Sequence, residues 1–171
     1  MTDTGVEVIP LLHNVYSQQR VVEVAKVVYG LGFKVFVVTK AVGSAAQAGV
    51  PEAQKLALKL DRAFIYLPDL PDAIEVLKPD KVLLVLPRKY APTPVSEAVK
   101  GASGKVMVVF GGAEPGLTKR ELELGIAVHP DGIEEDVGAT GLAAISLYLL
   151  RTLVGAQRAR TEVGYRAPGA P

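Results

Sequence analysis

The sequence predicts a single α/β domain built on a mostly parallel sheet of about six strands, with helices on both faces. Short apolar runs alternate with segments of helical periodicity along nearly the whole chain. Two of those runs, Lys81-Val-Leu-Leu-Val-Leu86 and Lys105-Val-Met-Val-Val-Phe110, show almost no polar alternation, as strands covered on both faces do. A length of 171 residues suits one domain, which at this size buries roughly 70% of its unfolded-chain surface and needs no covalent staple.

Val6 to Leu12 reads as the first strand, and Ser17 caps a helix reaching about Gly30, with Val21, Val24, Ala25 and Val28 on one face. Gly30 and Gly32 end it. Lys34 to Thr39 is a β-branched second strand, followed by a helix from near Pro51 to Leu60, where proline fits the first turn. Ala63–Leu67 is a third strand and Leu70–Leu77 a short helix. After Lys81–Leu86, Thr93-Pro94 reads as the cap and first residue of another helix. Thr118-Lys-Arg-Glu121 is a capping box behind the Lys105–Phe110 strand. Gly125–Val128 is a brief strand, and Val137 to about Gly155 a strongly apolar final helix. The domain is expected over residues 1–156, with 157–171 as a basic, mobile tail rich in Arg, Gly and Pro.

Composition narrows the function classes. At 49% hydrophobic and 22% charged the chain lies outside the disordered regime. Without cysteine there is no disulfide, thiolate zinc site or cysteine nucleophile. His13 and His129 are the only imidazoles, so no dedicated metal site is expected. Nineteen Lys and Arg against eighteen Asp and Glu give +1, so no global field advertises nucleic acid. A local excess appears only in 151–171, where Arg151, Arg158, Arg160 and Arg166 face Glu162 alone. The N-terminus lacks a basic stretch before its first apolar run, and uncharged Val137–Leu150 is shorter than the ~20 residues of a membrane span. The expectation is a cytoplasmic protein with no membrane contact.

Ligands of open parallel sheets gather beyond the carboxyl ends of the strands, which selects the loops 86–92, 111–117 and 129–138. The first strand–helix turn, His13-Asn-Val-Tyr-Ser17, contains no glycine and disfavours a dinucleotide fingerprint. Gly111 and Gly116 have the outer spacing of a phosphate-binding loop, yet Leu117-Thr118 follows where lysine is required. The segment offers backbone open to close approach, with Glu114 as its one charge; a tight turn with Glu114 in solvent fits equally well. Gly138, Ala139 and Gly141 permit either helix packing or the approach of a ligand.

Val108-Val-Phe-Gly-Gly-Ala-Glu-Pro-Gly-Leu-Thr118 resembles the second motif of the SPOUT superfamily, the trefoil-knotted RNA methyltransferases that use S-adenosylmethionine. Asn14, Arg20 and the Tyr29-Gly30 pair resemble the first motif of its SpoU branch, and the final apolar helix matches the place of the third. In that third motif Asp136-Val-Gly-Ala-Thr140 stands where a serine–leucine–asparagine run is usual. The resemblance, over roughly residues 8–155, implies a C-terminal trefoil knot and a donor pocket made by three loops. Leu86 and Pro87 would come from the first, Phe110, Gly111, Gly112 and Gly116 from the second. Val128, Pro130, Ile133, Val137, Gly138 and Ala139 would come from the third. It further implies Asn14, Arg20 and Glu114 as catalytic residues, with Arg20 orienting the acceptor through its guanidinium fork. The expected function is S-adenosylmethionine-dependent methylation of tRNA or rRNA, at a ribose 2′-oxygen or a base nitrogen, by a homodimer joined through the C-terminal helix. The alternative is a non-catalytic nucleotide- or RNA-binding module of the same fold.

Overall fold

The computed structural model describes residues 5–114 and 116–164, with the side chains of the last helix as far as Gly155. Seven strands, all parallel, form one sheet: β1 (Val6–Val15), β2 (Val35–Ala41), β3 (Ala63–Leu67), β4 (Lys81–Val85), β5 (Thr93–Pro94), β6 (Gly104–Gly111) and β7 (Ile126–His129). Their order is β3-β2-β1-β6-β4-β7-β5. The chain builds outward from β1 through β2 and β3, then lays every later strand on the other side. β1 and β6 therefore flank the topological switch point, where this class of sheet opens a crevice.

Among the described residues six α-helices cover the faces: α1 (Gln18–Gly30), α2 (Val50–Lys59), α3 (Leu70–Leu77), α4 (Val95–Ala98), α5 (Lys119–Leu122) and α6 (Gly138–Gly164). The period-two alternation of the strands sorts the core into two halves. One half joins Leu12, Phe36, Val38, Leu83 and Phe110 to α1, α2, α4 and α6; the other joins Ile9, Leu11, Val37, Met107 and Val109 to α3 and the Leu117–Leu122 segment. The anticipated apolar face of α1 is fully buried, and the Ser17 hydroxyl accepts from the Arg20 amide as its cap. The Thr118–Glu121 capping box is present with both of its reciprocal bonds.

Two expectations change, and one turn is new. Thr93-Pro94 is not a helix start but a two-residue edge strand paired with Val128–His129, which raises the strand count to seven. Proline is tolerated there because an edge strand can dispense with its N–H, and its φ of −70° suits strand and helix alike. The helix that follows is capped from elsewhere: Asp131 accepts from the Ser96 amide at 3.1 Å and from its hydroxyl at 2.5 Å. A single π-type turn, Ala45–Gly49, precedes α2. Finally, α6 runs past Gly155 to Gly164, through the first part of the expected tail; 165–171, with Arg166, lie outside the described residues. By length and composition Gly138–Gly155 could cross a membrane, with 22% of that window buried in the fold.

Tyr29 closes α1 over the sheet. Its hydroxyl donates to the Ala63 carbonyl at 2.8 Å, and its ring meets Phe36 edge-on at 6.4 Å. Burial pushes its phenol up from 10.0 to about 12. The unfolded chain then loses this proton first, so the contribution of Tyr29 is intact below pH 10 and declines as pH climbs from 10 towards 12. Urea titrations across that window should show wild-type stability falling with pH and a flatter profile for Tyr29→Phe. Equal slopes in both proteins would remove Tyr29 as the cause.

Candidate functional site

The carboxyl ends of the central strands carry a buried histidine in a polar cluster. His13 sits near the end of β1, in register with Thr39 of β2 and Gly111 of β6. His13 and Thr39 point to the face covered by α3 and α5, and the imidazole is fully buried. Its Nδ1 lies 2.8 Å from the Thr39 hydroxyl and its Nε2 2.7 Å from Glu121 Oε1. Asp69, which follows β3, places Oδ1 4.0 Å from the same Nε2. The ligand atoms of His13, Asp69 and Glu121 all lie within 4.8 Å of one another.

Each acidic member is anchored by a local rule. Asp69 is the N-cap of α3, its Oδ1 accepting from the Leu70 amide at 2.8 Å. Glu121 gives Oε2 to the Thr118 amide at 2.8 Å, which leaves Oε1 for the histidine. A nitrogen lone pair and a carboxylate oxygen 2.7 Å apart would repel, so a proton stands between them. Nε2–H therefore donates to Glu121, and Nδ1 meets the Thr39 hydroxyl, which can donate or accept. A cation in place of that proton would put the ring proton on Nδ1, and the Thr39 hydroxyl, donor or acceptor as required, would then accept it. Side-chain exposure rises from 0% at His13 through 13% at Glu121 to 53% at Asp69, so the cluster opens to solvent on the α3 side.

The residues expected to act lie on the same edge of the sheet. Asn14 adopts a left-handed φ of 59°, and its Oδ1 is buried without a hydrogen-bond partner. Arg20 Nη1 donates to the Gly112 carbonyl at 3.0 Å, which ties α1 to the glycine loop. Gly112 in turn donates its amide to the His13 carbonyl at 2.8 Å. Phe110 is a core residue, and Gly111 and Gly116 pack backbone on backbone, a Cβ at Gly111 meeting Gly116 Cα at 3.1 Å. Glu114 is exposed and lines a 260 Å³ cavity with Pro87, Pro130, Ile133 and Val137. Arg88, Lys89 and Tyr90 form another wall of this cavity, and Glu134, Glu135 and Asp136 are also among its lining residues. The Leu86 amide bonds the Val128 carbonyl, joining two of the loops, while Gly138 and Ala139 open α6 just beyond. The three loops thus converge on this cavity, and His13, Asp69 and Glu121 are not among its lining residues.

Sequence reasoning passed over Thr39 and Asp69, and read His13 and Glu121 in other roles. The available signal was a pair of polar residues, His13 and Thr39, closing two otherwise apolar strand runs.

Comparison with known proteins decides the family. The family described as RecB-family nuclease (DUF2122) matches residues 43–149, well over half of the chain. A protein of Aeropyrum pernix is 48% identical over 145 residues, covering 85% of this chain and 93% of its own length. This chain belongs to the RecB-family nuclease (DUF2122) family. The Aeropyrum relative bears the name "putative type II restriction enzyme". So does one from Methanocaldococcus jannaschii, 42% identical over 137 residues, or 80% of this chain and 91% of that protein.

Solved structures share the architecture. A "probable methyltransferase" from Bordetella pertussis superposes with a TM-score of 0.67 at 21% identity, over 87% of this chain and 95% of that one. The SpoU methyltransferase AviRb from Streptomyces viridochromogenes gives 0.67 at 13%, over 90% of this chain and 60% of that one. The expected α/β architecture, a parallel sheet with helices on both faces, is therefore the one these methyltransferase structures share. The expected activity does not hold: the family and the names of its close relatives point to a nuclease, which overturns the expected S-adenosylmethionine-dependent RNA methyltransferase. Identities this low carry architecture but not chemistry, since unrelated activities share folds.

Proposed function

We propose that this chain is a metal-dependent nuclease with its reaction centre at His13, Asp69 and Glu121. The observation that carries this reading is the convergence of these ligand atoms within 4.8 Å at the switch point of the sheet. One imidazole with two carboxylates suits a first-row divalent ion such as Mn²⁺. A bound ion would polarise a phosphate oxygen and acidify a water. The chain's own groups do the rest. Thr39 fixes the plane of His13, the capping box fixes Glu121, and the α3 cap fixes Asp69. As the half-exposed member, Asp69 is placed to accept the proton of the attacking water on Oδ2, the oxygen not held by the Leu70 amide, while the water oxygen bonds phosphorus. The phosphorus–ribose oxygen bond breaks, and the leaving oxygen takes a proton from solvent. Exposed Lys119 and Arg120 precede Glu121 on α5, where they can meet the flanking phosphates.

Labelled DNA and RNA oligonucleotides incubated with the protein and Mn²⁺ test this. Cleavage that stops with EDTA and returns with excess Mn²⁺ is expected. Intact substrates in the presence of Mn²⁺-loaded protein would contradict it.

We further propose a homodimer through α6. Val27, Gly30 and Leu31 of α1 with Ala144, Ile145 and Tyr148 of α6 line an apolar groove of 470 Å³, and Tyr148 is 63% exposed. This face is continuous with a helix whose apolar window is only 22% buried, so a second α6 is a fitting occupant. Sedimentation should give a dimer for the wild type and a monomer for Ile145→Glu. A monomeric wild type would refute the interface.

A further inference from the structure

Beside the proposed reaction centre, but on the β1–β2–β3 side of the sheet, lies an exposed strip that the cluster chemistry does not use. Tyr16 is 53% exposed, Val42 43% and Tyr66 43%. All three lie at the carboxyl ends of the adjacent strands β1, β2 and β3. Val42 donates its amide to the Val15 carbonyl at 2.9 Å, which sets it beside Tyr16, and the Tyr66 hydroxyl reaches to 3.5 Å from the Ala41 carbonyl. The strip is thus three strands wide.

The backbone is shaped to present it. Asn14 and Lys40 occupy matching positions of the β1–β2 ladder, between the His13–Thr39 and Val15–Ala41 pairs, and both have left-handed φ, 59° and 51°. Asparagine tolerates that conformation; lysine adopts it against its steric preference. The paired kink ends the regular alternation one residue before Val15 and Ala41. Tyr16 and Val42 then follow as exposed residues, while Tyr16 itself is held by its carbonyl, which accepts from the Ala45 amide and the Ser44 hydroxyl. Lys40 is exposed within the strip.

We infer that this strip is a stacking platform for unpaired bases, so that the substrate is a single strand or a frayed end rather than an intact duplex. The inference rests on the nuclease reading for its choice of nucleic acid as the ligand. Two aromatic rings interleaved with a cation are what single-strand grooves use, because every base has a π-face. Paired bases in a duplex expose no such face, and duplex binding draws on many phosphate contacts. The charges in segments 13–20, 39–45 and 66–69 are only Arg20, Lys40 and Asp69, and Arg20 is engaged by the Gly112 carbonyl. Stacking, not phosphate neutralisation, is what this surface offers.

Fluorescence polarisation of a labelled 12-nucleotide single strand and its duplex, both in EDTA so that nothing is cut, reads the platform separately from the reaction centre. The single strand should bind at least about 10-fold tighter. The double variant Tyr16→Ala/Tyr66→Ala should lose about 10-fold or more of that affinity, and Tyr16→Phe/Tyr66→Phe should retain it within about two-fold, since the ring is what stacks. All substituted side chains are exposed, and circular dichroism verifies the fold. Equal affinity for the duplex, or an unchanged alanine variant, would overturn the platform, as would a change in sedimentation of that variant showing the strip to be an interface between copies. Cleavage with Mn²⁺ that persists in the alanine variant alongside unchanged binding would discard the platform and keep the nuclease. Absence of cleavage with the single-strand preference intact would do the reverse.

Discussion

Replacing Glu121 by Gln is expected to lower metal-dependent cleavage by at least about 100-fold and to leave the fold in place. Even residues that merely support a metal ligand cost 10–100-fold when removed, so loss of a ligand sets that figure as a floor. Glutamine separates the two jobs of this side chain. Its amide oxygen can still accept from the Thr118 amide, and glutamine is a normal partner in a capping box. Its amide nitrogen can donate to His13 Nε2, with the ring proton moved to Nδ1 and Thr39 accepting it. Only the negative charge at the 2.7 Å contact disappears. The expected stability change is about 1 kcal/mol or less, the scale of one hydrogen bond. Cleavage within a few-fold of wild type would remove Glu121 from the reaction centre, whereas collapse of the fold would show the His13–Glu121 bond to be chiefly structural.

The second large effect is on stability and lies at Gly112. A Cβ there would come within 2.7 Å of Val15 Cβ, 3.0 Å of the Asn14 carbonyl and 3.1 Å of Val15 Cα. Two of those atoms are backbone, in the stretch fastened by the Gly112 amide to the His13 carbonyl. Gly112→Val must therefore push the glycine loop off the end of β1. Overpacking of this kind costs about 1–3 kcal/mol. In a domain of this size that is a Tm lower by about 3–10 °C. Arg20 would lose its grip on the loop as well, since its acceptor is the Gly112 carbonyl. Calorimetry of Gly112→Val checks the figure. A melting temperature equal to that of the wild type would mean the loop is free to move, and that β1 does not hold it.

Much of the fold was legible because local chemistry determined it. Ser17, the Val21–Val28 stripe and the Thr118–Glu121 box each signal their structure within a few residues of sequence, and all three are present. Thr93-Pro94 misled because a proline φ satisfies two elements, and only the distant pairing with Val128–His129 selects between them. The cluster was illegible for the same reason in stronger form. His13 meets Thr39 and Glu121 across 26 and 108 residues of sequence, and strand register together with two helix caps brings the cluster together. The proposed centre adds to one imidazole the carboxylates of Asp69 and Glu121, which a helix cap and a capping box place beside it and which a count of imidazoles does not weigh. The activity could not follow from the glycine motif, because Phe110-Gly-Gly-Ala-Glu114 describes how a loop packs on β1, which proteins of unlike chemistry can share.

The most direct measurement of the central claim is a titration of the metal-free protein with Mn²⁺, followed by electron paramagnetic resonance, for the wild type and for Glu121→Gln. One bound ion per chain in the wild type, lost or weakened at least about 10-fold in the variant, is the predicted result. Binding that is absent in the wild type, or identical in the two proteins, would contradict a metal centre at His13, Asp69 and Glu121.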